Sequence, residues 1–79
     1  MKWELRMSRE AIASLYRLER TMASLVSAAL DALAEDPIAA NLQPDDEDPS
    51  CYWIAVDGDY TIWFEILDER HAIRVIEIE

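Results

Sequence analysis

From Arg9 to Asp36 the chain runs 28 residues without a glycine or a proline. Its apolar residues recur there at helical spacing: Ile12, Leu15, Leu18, Met22, Leu25, Val26, Ala29, Leu30 and Leu33. One straight helix of that length would reach about 42 Å, too long for a globule of 79 residues. The run must therefore fold back on itself. A break near Arg20-Thr21, with Thr21 as the second N-cap, makes it a helical hairpin. Ser8 caps the first helix, and Glu10 lies in its first turn, where the helix dipole favours an acid. Pro37 ends the second helix, because the residue before a proline avoids helical backbone.

The flanking segments carry the other period. Trp3, Leu5 and Met7 alternate with Lys2, Glu4 and Arg6, as in a half-buried strand. Residues 41–50 hold two prolines and four consecutive acids, which predicts a loop with neither helix nor strand. Strands follow over Cys51–Val56, Tyr60–Leu67 and His71–Ile78, with turns at Asp57-Gly58-Asp59 and Asp68-Glu69-Arg70. Pairing Val56 with Tyr60, Ile54 with Ile62 and Tyr52 with Phe64 puts six apolar side chains on one face, ready to receive the helices. Trp53 then opposes Trp63, and Ala55 opposes Thr61, on the other face. A slip of one residue would mix the two sets. The expected fold is α+β, in the order β-α-α-β-β-β: an antiparallel-rich sheet with a helical hairpin on one face, residues 1–79 forming one domain.

Charge narrows the functions. The chain carries a net −10, and unevenly. Residues 1–30 hold five bases and three acids, whereas residues 31–79 hold only Arg70 and Arg74 against fourteen acids. Binding nucleic acid by phosphate neutralisation needs a basic face, so no strong direct nucleic-acid binding is expected. The single cysteine, Cys51, excludes an internal disulfide and fits a reducing, cytoplasmic setting. No apolar run approaches the roughly 20 residues of a membrane span.

Several residues carry a sharper alternative beside a plain one. Asp45-Asp46-Glu47-Asp48 offers oxygens for Ca²⁺, but lacks the alternate acids and central glycine of an EF-hand; a solvated loop is expected. His71 has no nucleophile motif beside it and reads as a surface histidine at a strand edge. Cys51 reads as a small hydrophobe. Arg9 and Arg20 with Arg6 are candidates for a basic patch, against the default of a solvated helix face. No metal or cofactor site is expected.

The order of pieces resembles the RelE/ParE superfamily, the toxins of type II toxin–antitoxin modules. The matching segments are Ser8-Arg9-Glu10-Ala11, Leu33-Ala34-Glu35-Asp36-Pro37, Tyr52-Trp53-Ile54-Ala55-Val56, Gly58-Asp59-Tyr60-Thr61 and Phe64-Glu65-Ile66-Leu67-Asp68-Glu69-Arg70. They span nearly the whole chain. In the RNA-cleaving branch of the family that the chain resembles, which is one branch among several, basic residues stand where this sequence has Trp53, Ala55 and Thr61. The last strand there usually runs on into a basic and aromatic tail that completes the cleavage site, whereas the last strand here reaches Glu77-Ile78-Glu79. Cleavage through the RNA's own 2′-hydroxyl needs a base, positive charge on the phosphate and a proton for the leaving group.

The resemblance therefore implies a toxin-like component that acts by protein contacts, with no catalytic residues assigned. Trp53, Trp63, Ala55 and Thr61 form the expected protein-binding face, covered by a cognate antitoxin or by a second copy in a homo-oligomer. Arg70 and Arg74 are the candidates for a basic contact. Three alternatives stay open: a ribosome-dependent mRNA interferase with a rebuilt site, a gyrase-directed toxin, and an acidic module that mimics nucleic acid.

Overall fold

The computed structural model describes residues 2–37, 42–48, 50–58 and 60–79. A first strand, β1 (Glu4–Met7), leads into two helices, α1 (Arg9–Arg17) and α2 (Arg20–Glu35). Strands β2 (Gln43–Pro44), β3 (Cys51–Val56), β4 (Tyr60–Leu67) and β5 (Ala72–Ile78) follow, with a 3₁₀ turn at Asp68–Arg70 before β5. They form one mixed sheet in the order β1-β5-β4-β3-β2. Only β1 and β5, the first and last strands, run parallel; the other neighbours are antiparallel.

The expected register of β3 on β4 is the observed one, from Val56 opposite Tyr60 to Tyr52 opposite Phe64. Burial of one face is what selects it: Val56, Ile62 and Phe64 are buried, and Tyr52, Ile54 and Tyr60 pack against them. From above, α2 contributes Val26, Leu30 and Leu33, while α1 contributes Ala11. Strand β5 completes the core with Ile73, Val75 and Ile78. Trp3, Leu5 and Met7 of the first segment pack onto the same cluster.

The helical run breaks earlier than expected. Leu18 and Glu19 are the extended residues, and Glu19 rather than Thr21 is the N-cap of α2, with no side-chain capping bond. Breaking there keeps both Leu18 and Met22 against the core. Ile12 and Leu25, which share the helical apolar spacing, are about 40% exposed (41% and 40%). Each sits roughly 100° around its helix from a buried neighbour, Ala11 or Val26, beyond the sheet's reach.

The acidic loop is also more ordered than its composition suggests. Gln43 and Pro44 form a two-residue strand on the edge of β3, a place where a proline costs no ladder hydrogen bond. The hairpin turn uses left-handed backbone at Asp57 (φ 54°) and Gly58 (φ 75°); Asp59 lies outside the described residues. His71 is not the first residue of β5. It closes the 3₁₀ turn in left-handed backbone at φ 51°, with its ring stacked on Trp3 at 4.0 Å.

One side chain joins the two halves. The Ser8 hydroxyl accepts the Ala11 N–H at the start of α1 and donates to the Ile76 carbonyl. Ile76 is the extra residue where the β4–β5 register shifts between Trp63 and Phe64, so Ser8 satisfies a carbonyl that the bulge removes from the ladder. Ser8→Ala loses a cap and strands that carbonyl, a cost of about 2 kcal/mol. Urea unfolding should show this loss, with Ser8→Thr retaining most of the stability. A cost for Ser8→Ala below about 0.5 kcal/mol would show that the link is idle.

Candidate functional site: the outer sheet face

The helices cover one side of the sheet, so the functional candidates fall on the other. Residues directly opposite on neighbouring strands share a face, and this sorts the outer side chains into cross-strand rows. One row runs Gln43, Trp53, Trp63, Glu77. The next holds Ala55, Thr61 and Glu79. Thr61 and Glu79 exchange backbone hydrogen bonds at 2.7 and 2.9 Å. A third runs Cys51, Glu65, Arg74, Arg6. The bulge at Ile76 lets Arg74 and Glu77, three apart in sequence, both face outward.

The four residues expected to bind protein thus stand together. Trp53 and Trp63 are register partners and half-buried, Ala55 is exposed, and Thr61 is half-buried. Trp53 and Ala55 also line a groove of about 410 Å³ with Ala29, Ala32 and Leu33 of α2. Opposite Trp63 and Thr61 stand the exposed carboxylates of Glu77 and Glu79. Neither makes an ion pair among the described residues, whereas Glu65 in the third row meets Arg74 at 3.8 Å.

The arginines gather differently from the expected patch. Arg70 and Arg74 line one cavity with Arg6, beside Asp68 and Glu69. Arg20 lines a separate groove on α2 with Ser24 and Asp31. The parallel pairing of β1 with β5 sets Arg6 opposite Arg74, a juxtaposition that no local pattern reveals. Arg6 is tied to Glu4 at 3.2 Å.

The remaining candidates are structural. Cys51 is buried, and burial first, then the charges of Asp45, Asp48 and Glu65, push its thiol pKa up; a thiol held protonated is a poor nucleophile. In the acidic loop, Asp45 accepts the Glu47 N–H, and Asp48 accepts both the N–H and the hydroxyl of Ser50. Those Ser50 bonds hold the Asp48 carboxyl below its ordinary value. The loop satisfies itself, and no cluster among the described residues has the geometry to hold a metal ion. No helix among them is long and apolar enough to cross a membrane.

No protein-family model matches the sequence, and no curated protein matches it significantly. Solved structures do match. The RelBE toxin–antitoxin complex of E. coli superposes with a TM-score of 0.82 at 24% identity, over 96% of this chain and 93% of that one. A mutant of E. coli RelE bound to an antitoxin RelB peptide gives 0.81 at 25% identity, over 99% and 82%. The RelBE2 toxin–antitoxin complex of Mycobacterium tuberculosis gives 0.81 at 21%, over 100% and 91%. With its helical hairpin laid on one face of a five-stranded mixed sheet, the chain has the fold of the RelE superfamily.

Proposed function

We propose that the chain is a RelE-like component of a type II toxin–antitoxin module that works by binding protein, with an antitoxin segment on its outer sheet face. The reading rests on one observation. Where the RNA-cleaving branch places cations, this sheet has Trp53, Ala55 and Thr61, with Glu77 and Glu79 in the same rows. Losing one charge-stabilising group from a cleavage site typically costs a factor of hundreds or more. Carboxylates in that position add repulsion to the loss. What remains is aromatic surface of the kind that anchors protein interfaces.

A second reading has its own support. Arg6, Arg70 and Arg74 line one cavity, which offers positive charge for a rebuilt interferase site. Purified ribosomes translating a defined message decide between the two. The message should stay intact at concentrations at which RelE toxin cleaves it. Cleavage that disappears on Arg70→Ala or Arg74→Ala would establish the rebuilt site instead.

A further inference from the structure

Building on the reading that the outer face binds protein, we infer that the segment it takes is basic, presenting Arg or Lys to Trp63 and to the carboxylates of Glu77 and Glu79. Side chains directly opposite on antiparallel strands have Cβ atoms about 4.5–5.5 Å apart, so Glu77 lies beside the Trp63 indole. Glu79 stands two residues along the strand, roughly 7 Å away, opposite Thr61. Both acids are exposed, and neither has a cationic partner among the described residues.

An aromatic face and a carboxylate within one side chain's reach suit a guanidinium or an ammonium: the ring quadrupole attracts the cation and the carboxylate hydrogen-bonds it. Trp53, across from Trp63, supplies apolar surface for the aliphatic stem of such a side chain. An acidic or nucleic-acid occupant would instead face two uncompensated carboxylates on a chain of net charge −10. The third row contains its own precedent, since Glu65 already meets a cation, Arg74.

The test uses the full chain and two ten-residue peptides, one of alternating Leu and Arg and the other of alternating Leu and Glu, followed by NMR titration. The Leu-Arg peptide should bind and shift the Thr61, Trp63 and Glu77 amides, while the Leu-Glu peptide should not. Glu77→Gln with Glu79→Gln should weaken the Leu-Arg peptide at least tenfold. Asp46→Asn with Glu47→Gln makes the same change in net charge on the distant loop and should alter binding less than twofold. Equal losses in the two double variants would mean unspecific attraction to an acidic chain and would overturn the inference. So would sedimentation showing that the face is closed by a second copy. If Trp53→Ala with Trp63→Ala abolishes binding but the glutamine variants do not, the protein-binding reading survives and the basic partner falls. If neither pair matters, both fall.

Discussion

Phe64→Ala should remove at least a quarter of the chain's folding stability. Phe64 is fully buried in β4, the middle strand of the sheet, with its ring against Tyr52 at 6.2 Å. Emptying such a site typically costs 3–5 kcal/mol, because the surroundings collapse only partly into the cavity. A domain of 79 residues has about 4–12 kcal/mol in total, so the substitution removes between a quarter and all of it. The midpoint of thermal unfolding should fall by roughly 12–40 °C. Phe64→Leu, which keeps most of the volume, should cost about 1–1.5 kcal/mol. Circular dichroism melts of the two variants check the claim, and a drop of less than about 5 °C for Phe64→Ala would place the core elsewhere.

That core was legible because it depends on short-range pattern. Alternation over Tyr52–Val56 and Tyr60–Phe64, with one turn between them, admits a single register that gathers six apolar residues on one face, and the sheet adopts it. The Trp53–Trp63 pairing follows from the same register. Features set by contacts distant in sequence were hidden. The Ser8–Ile76 hydrogen bond joins residues 68 apart. The Arg6–Arg74 juxtaposition needs β1 to lie parallel to β5. Neither leaves a mark on local periodicity. Local pattern predicts a helix break but not its place, because Thr21 is the better capping residue by type, while packing of Leu18 and Met22 sets the actual turn. Local pattern assigns His71 to the start of a strand, since nothing beside it announces left-handed backbone.

Replacing both outer tryptophans separates binding from folding most sharply. Trp53 and Trp63 are only half-buried, and a cross-strand pair of this kind contributes about 0.2–1 kcal/mol to the sheet. Trp53→Ala with Trp63→Ala should therefore leave the far-ultraviolet circular dichroism and cooperative unfolding in place. At an interface the same residues weigh far more: truncating a central tryptophan costs at least about 2 kcal/mol, a factor of roughly 30 in affinity. Two together should lower affinity for a partner on this face by about a thousandfold. Co-expression with the antitoxin proposed above as the partner provides the measurement. The wild-type chain should co-purify with that protein at equal stoichiometry, and the double variant should emerge alone and folded. A folded double variant that still co-purifies at full stoichiometry would move the binding surface off the outer sheet face, toward the exposed Ile12 and Tyr16 of α1.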